Sequence, residues 1–492
     1  MAMSDTHSDS YPDRYWAGVD ADDLVGILTE KERKFQGSLK SSLYWERCLR
    51  NVAYAHGQFF QSGADAIDME VKVGGTQGEL LLFASNQFRN LLEHYFQLAA
   101  REKVGLKTRA VNEDNESLRQ ADIGDGLIDY YTREKAMETY LRLSAWTSLQ
   151  FMQGFVTCEW DPSLGDPDQM TGQPMGDFVF ASPLPCDVIW NLSQPWEKAE
   201  WVVVRELVNR WNLVKQFPDK EEDILAVEEK EHERLNLYKN QPDICDDDLI
   251  PLYKFFHKRT LAVPTGRYLL FVEETPLQDA ELPYKEIPVF RVSPGEWIGQ
   301  GTGWSPANSL QPLQEMYNGE LSAIASNHAA FATQDFFVPD GAEKVKTTRL
   351  KGGIRMVSGP AKPEPLVALA SQPDLWKFAD YLRQEFQLIS GITGATRGVA
   401  ETGVTAASAF ALFDAKSVQY ATQFVAAYNK LAEDVTTFLL KTASRYITNQ
   451  RTVAIIGKSN MPDIVKFTGA DLQLIDRVVV DTVNPMSKTI AG

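Results

Sequence analysis

The chain has 492 residues, 44% of them hydrophobic and 24% charged, with a formal net charge of −18. That length and composition fit a globular protein of about three domains with a core to bury. The acidic balance argues against a protein that grips a nucleic acid backbone, because that affinity comes from clustered Lys and Arg displacing counterions.

After a polar head read as disordered, Ser41 to Phe60 and Phe83 to Lys103 carry apolar residues at spacings of three and four, which predicts amphipathic helices. Asn115 is placed to cap a longer helix running to Gln153, with an apolar stripe of Leu127, Tyr130, Tyr140, Leu143 and Trp146, ended by Gly154. "FVTCEWDP" then reads as a strand. From about Asp177 to Phe290 the period changes to short strands punctuated by proline, and "VPTG" before Arg267 predicts a hairpin turn. The charged stretch Lys220 to Asn240 predicts a solvated helix.

The second half is organised differently. Ser305 as N-cap and Pro306 at the first helical position open a helix whose stripe is Leu310, Leu313, Tyr317, Leu321, Ile324 and His328, with Pro312 a possible kink. Residues 333 to 367 read as a small β module with turns at Asp340-Gly341 and Gly352-Gly353. A helix follows from Pro373 to Ser390, with Leu375, Phe378, Ala379, Leu382, Phe386 and Ile389 on one face. Then comes a glycine- and threonine-rich bridge, "GITGATRGVAETGVTAASAF", and a pattern from Ala406 to about Ile447 without proline or glycine. At 1.5 Å per residue that last helix would span roughly 60 Å. Its stripe of Phe413, Tyr420, Phe424, Ala427, Leu431, Val435, Phe438 and Leu439 suits a core helix of one subunit or a helix between subunits equally well.

Candidate chemistry is sparse. Gly398 and Gly403 have the glycine separation of a phosphate-binding loop, but Val404 and Thr405 follow, so its lysine is missing. "GQGTGW" at 299–304 imitates part of a dinucleotide fingerprint outside the βαβ unit that gives it meaning. "DICDDD" at 243–248 lacks the glycine and distal glutamate of an EF-hand loop and reads as a solvated acidic loop. Cys48, Cys158, Cys186 and Cys245 are far apart, and the histidines at 7, 56, 94, 232, 257 and 328 have no ligand spacing, so no metal site, cofactor or disulfide framework is expected. No nucleophile has an evident base. The first residues carry neither a basic nor an apolar leader, and no apolar run approaches the roughly 20 residues of a membrane helix, which predicts a soluble chain made in a reducing compartment. One charge feature stands out: the β module holds Lys344, Lys346, Arg349, Lys351, Arg355 and Lys362 against Asp335, Asp340, Glu343 and Glu364, a local excess of two positive charges. A solvated turn explains it, and so does a docking surface for an acidic partner or DNA phosphates.

The order of elements resembles that of a tailed-bacteriophage portal protein, across roughly residues 40 to 485. "LSAWTSLQFMQGFVTCEWDP" is similar to the family's helix, glycine, strand and acidic turn. "PLPCDVIWNLSQPWEKAEWVVVRELVNRWNLVKQFP" resembles its strand, aspartate and tryptophan-valine strand before a short helix. "IPVFRVSPGEWIGQGTGWSPANSLQPLQEMYNGELSAI" resembles its proline-led strand, turn and stem helix.

That resemblance implies an α+β portal-like fold with a mixed α/β wing, a two-helix stem, a small β clip and a long kinked helix leading to a minimal or truncated crown. The implied division is an N-terminal arm (1–40), wing (41–303), first stem helix (304–332, with Ser305, Pro306, Leu313, Tyr317 and Leu321), clip (333–368), second stem helix (372–390), tunnel loop (391–405), long helix (406–447) and a β segment with the start of a crown (448–492). It implies a noncatalytic, dodecameric ring at one capsid vertex, assembled in the host cytoplasm. The ring would pass double-stranded DNA without sequence preference and dock the terminase large subunit, adaptor and tail proteins, with major capsid and scaffolding proteins as neighbours. Lys344, Lys346, Arg349, Lys351 and Arg355 become clip docking residues. Gly391, Gly394, Thr396, Arg397, Gly398, Glu401, Thr402 and Gly403 become the tunnel loop, where glycine mobility and short side chains suit DNA of any sequence. Twelve times −18, or about −216, would give a lumen that repels DNA rather than binding it. The rival expectations are another ring-forming connector or structural virion protein without a packaging role, and a nucleotide-dependent packaging enzyme.

Overall fold

The computed structural model describes residues 15–57, 82–100, 104–165, 167, 172, 174–227, 248–331, 336–337, 346–349, 355–358, 364–365, 373–392, 407–448, 450–456 and 462–480. The chain divides into two compact units, one built from Met1–Val52, Leu92–Asn308 and Thr405–Gly492, the other from Ala53–Leu91 and Ser309–Val404. In chain order the elements are α1 (Ala21–Ser41), α2 (Tyr44–Ala55), α3 (Gln87–Ala100), β1 (Leu106–Ala110), α4 (Asn115–Arg133), α5 (Met137–Phe151), β2 (Gly154–Asp161), β3 (Asp177–Ala181), β4 (Val188–Trp190) and β5 (Trp201–Asn209). There follow α6 (Arg210–Gln216), α7 (Glu221–Leu225), β6 (Leu249–His257), β7 (Arg267–Val272), β8 (Thr275–Ala280), β9 (Val289–Val292), β10 (Gly295–Glu296), β11 (Gly303–Trp304) and α8 (Ala307–Phe331). The rest are β12 (Phe336–Phe337), β13 (Lys346–Arg349), β14 (Arg355–Ser358), β15 (Glu364–Pro365), α9 (Pro373–Ser390), α10 (Ala407–Tyr446), β16 (Arg451–Ile456), β17 (Pro462–Phe467) and β18 (Ile475–Val480). The class is mixed α+β, as expected.

The first unit is organised around two antiparallel sheets. In the five-stranded sheet, ordered β4-β5-β6-β7-β8, Val203, Phe255 and Leu269 share one register row and one face, as the period-two alternation of β-branched and aromatic residues requires. That face is covered by the N-terminal segment, where Trp16 meets Trp201 and Phe255 edge-on at 5.6 and 5.9 Å. The opposite face buries Ile250, Leu252, Leu270 and Val272 under Leu213 of α6 and Ile224 of α7. The "VPTG" hairpin joins β6 and β7 as expected. The three-stranded sheet β3-β2-β9 packs on α5 and α10, with Phe290 of β9 against Phe438 of α10 at 5.4 Å. A separate pair, β1 with β18, brings residues 106–110 beside 475–480. Glu433 and Thr437 of α10 accept from the backbone N–H groups of Val480 and Val478.

Several expectations are corrected here. The head is not wholly unstructured: α1 buries Leu24, Val25, Leu28, Phe35 and Leu39, a stripe diluted in sequence by surrounding charge, and Glu32 pairs with Arg205, which is also bonded to the buried Asp187. The single helix expected over 115–153 is two. Ala136, at φ 54°, separates α4 from α5. Tertiary polar contacts override helix propensity there, since Tyr131 donates to Asp177 at 2.8 Å and Lys135 lies 2.6 Å from the same carboxylate. Tyr130 and Leu143, expected on the buried stripe, are exposed. Gly154 does not end the helix but opens β2. A Cβ there would stand 2.0 Å from the Ser144 carbonyl oxygen, so only glycine lets β2 pass this close to α5. Of the expected helix from Lys220, α7 covers only Glu221–Leu225, and 228–247 lie outside the described residues.

In the second unit, α8 and α9 flank two antiparallel strand pairs, β12 with β15 and, within that span, β13 with β14. The expected turn at Gly352-Gly353 falls between β13 and β14, outside the described residues, as does the turn at Asp340-Gly341. In the first unit again, α10 runs 40 residues without interruption.

Candidate functional site

The helix α8 begins as its sequence directs. Ser305 is fully buried, and its hydroxyl accepts from the Ala307 N–H at 3.2 Å and donates to the Leu149 carbonyl, so one side chain caps the helix start and satisfies a carbonyl at the end of α5. Pro306 precedes the first helical N–H, where its missing donor costs nothing. Pro312 lies inside the helix and leaves it unbroken.

Within the second unit the buried face of α8 is more polar than its apolar stripe suggests. Leu310, Tyr317 and Ile324 are buried, as expected, while Leu313 and Leu321 are half-buried. Beside them Gln314, Asn318 and Ser322, one turn apart, form a buried polar ladder. Gln314 donates to the Ser85 carbonyl at 2.9 Å and to Asn318 Oδ1 at 2.7 Å, and accepts from the Phe88 N–H at 2.9 Å. Asn318 accepts from the Ser85 N–H at 3.3 Å, and Ser322 both accepts from the Phe83 N–H and donates to its carbonyl. The extended segment Leu82–Asn86 thereby satisfies its backbone on a helix face instead of a sheet edge. Spacing of four between short polar residues was the available sequence signal, overshadowed by the neighbouring apolar stripe.

α9 shows two faces. Ala379, Leu382 and Phe386 are buried, and Phe386 meets Tyr317 of α8 edge-on at 6.0 Å. Phe378 and Ile389, expected on that buried face, are 39% and 43% exposed, and with Tyr381 at 52% and Leu388 at 69% they continue the apolar surface around the helix. Apolar residues thus occupy more of the circumference than α8 covers. Gly391 ends the helix in the left-handed conformation, at φ 68°, the conformation a C-terminal cap needs. The Ile392 N–H then bonds the Ser390 hydroxyl at 3.2 Å, with Ile392 itself buried.

The expected site residues fall unevenly. Lys346 and Arg349 lie on β13, paired in register with Ser358 and Arg355 of β14, so Arg349 and Arg355 are brought opposite each other. Lys344 and Lys351 lie outside the described residues, as do Gly394, Thr396, Arg397, Gly398, Glu401, Thr402 and Gly403. Among the described residues there is no cluster of His, Cys, Asp and Glu fit to hold a metal ion, and no helix long and apolar enough to cross a membrane. The strongly perturbed acids and bases sit in structural networks: Glu159 is pushed up by burial while it pairs with Lys254, which also pairs with Glu206. Cys48, Cys158 and Cys186 are buried, and burial holds the thiols of Cys48 and Cys158 protonated.

The family model of phage P22-like portal proteins matches residues 101–490. The chain belongs to the phage P22-like portal protein family. A comparison with curated proteins returned no match. As a phage portal protein it is a component of the virion, in the connection between head and tail, and its family is structural, not enzymatic.

Proposed function

We propose that this portal protein forms a dodecameric ring at one capsid vertex. Its channel carries double-stranded DNA inward during packaging and outward during ejection. In this reading α8 and α9 are the stem, the strands β12 to β15 are the clip, residues 391–405 form the tunnel loop, and α10 leads toward the crown. The clip docks the terminase large subunit while DNA enters and adaptor or tail proteins afterwards; the major capsid protein, and scaffolding protein during assembly in the host cytoplasm, surround the ring.

The observation that carries this reading is the second unit itself. Two helices enclose a pair of small strand ladders, and the second helix keeps an exposed apolar face before Gly391 turns the chain into a glycine-rich bridge. A face of that kind is accounted for by a neighbouring copy. The bridge offers DNA no fixed recognition groups, and Arg397 and Glu401 nearly cancel in charge, so DNA meets a low-friction wall. No nucleotide chemistry is assigned to the chain, since Val404 stands where a phosphate-binding loop needs Lys.

Electron microscopy of the purified chain tests the proposal. End-on views with twelvefold symmetry around a hole wide enough for duplex DNA are expected. Compact monomers under all conditions, including with scaffolding protein present, would refute it.

A further inference from the structure

In the first unit, α10 forms one wall of a cleft of about 670 Å³. Its floor is apolar, with Phe438 packed against Tyr284 and Phe290 at 5.4 Å each. Its rim is cationic. Lys430, Lys441 and Arg445 stand on one exposed face of α10, and Lys258 and Lys285 face them from the loops after β6 and before β9. Seven Lys and Arg side chains line the cleft against four Asp and Glu, an excess of three positive charges in a chain of net charge −18. Arg291 pairs with Glu296 at 3.1 Å, and Arg259 donates to the Leu282 carbonyl at 3.4 Å. A cluster of like charges left open on an acidic chain costs self-repulsion, which an acidic occupant would relieve.

Ring closure supplies such an occupant. Identical copies of a −18 chain repel, and a closed ring presses one surface of each copy against a different surface of the next. The contact therefore needs locally opposite charge to set partner and register. On the same unit the α6–α7 corner presents the complement: Glu221, Glu222 and Asp223 are all exposed in the first turn of α7, Asp223 3.9 Å from Lys220, and Trp211 of α6 and Leu225 of α7 are exposed. We propose that the basic, aromatic-floored cleft is a socket for the acidic α7 corner of a second copy of this chain, and that this contact closes the ring. The proposal rests on the ring reading above and adds to it a specific pair of surfaces.

The full-length chain tests it by mass photometry at fixed protein and salt concentration. Lys441→Glu with Arg445→Glu is expected to lower the ring fraction at least tenfold while circular dichroism and the thermal midpoint of the monomer stay unchanged. Adding Glu221→Lys and Glu222→Lys to that variant is expected to restore rings. Lys441→Gln with Arg445→Gln, which removes charge without reversing it, should give an intermediate loss and guards against misfolding. Wild-type rings left unaffected by the reversal overturn the socket alone, whereas a wild type that never forms rings overturns the ring reading with it. Intact variant rings that instead lose affinity for a short DNA duplex would assign the cleft to phosphate and likewise overturn the socket.

Discussion

His257 is buried with both ring nitrogens hydrogen-bonded. Its Nδ1 donates to the Lys258 carbonyl at 2.7 Å, which leaves Nε2 to accept from the Tyr15 hydroxyl at 3.1 Å. Burial holds its pKa below the usual histidine range, against the opposing pull of the Lys258 carbonyl hydrogen bond and the Glu200 charge, while the Lys258 ammonium adds to the lowering. An unfolded histidine protonates near about pH 6.5, before the folded one does, so this group removes stability as pH falls through that value and the loss is complete below its folded pKa. The thermal midpoint is expected to fall between pH 7 and pH 5, and to fall less in His257→Gln. Equal slopes for the two proteins would remove His257 as the cause. Gln314 gives a second residue-scale prediction: Gln314→Leu leaves the Phe88 N–H buried without its acceptor and should cost about 1–3 kcal/mol, read from a urea midpoint.

Among the elements, α9 carries more apolar surface than its partner helix covers. Tyr381→Ser combined with Leu388→Ser removes part of the exposed stripe and should leave monomer stability within about 0.5 kcal/mol while lowering the ring fraction in electron micrographs. Undiminished rings would detach that stripe from assembly. The strand pairs β12–β15 and β13–β14 carry the other element-scale prediction. Reversing Lys346, Arg349 and Lys351 to Glu should weaken adaptor or terminase docking in a pull-down and preserve the ring, because rim charges govern encounter and register more than fold. Unchanged docking would return these cations to the role of a solvated face.

For the whole molecule, the expectation separates building the ring from using it. Deleting Gly394 to Gly403 should leave rings intact and reduce packaged or retained DNA, measured as DNA per capsid; loss of the rings themselves would count against a tunnel loop. The sequence by itself determined the elements whose signals are local. These are the Ser305-Pro306 start of α8, the span of α9, the 40-residue α10 free of glycine and proline, and the alternation of β5 to β7 around the "VPTG" turn. Capping, periodicity and turn chemistry act over a few residues, so they are visible in a string. Only the tertiary structure decided the rest: the pairing of β1 with β18 more than 350 residues on, the break that Asp177 draws into 115–153, the polar ladder under Leu82–Asn86, and the cationic cleft assembled from α10 and two distant loops. Each of these depends on groups far apart in the chain satisfying one another's hydrogen bonds, charge or buried area. Local propensity is a weak term beside those long-range contacts, so no window of the sequence contained them.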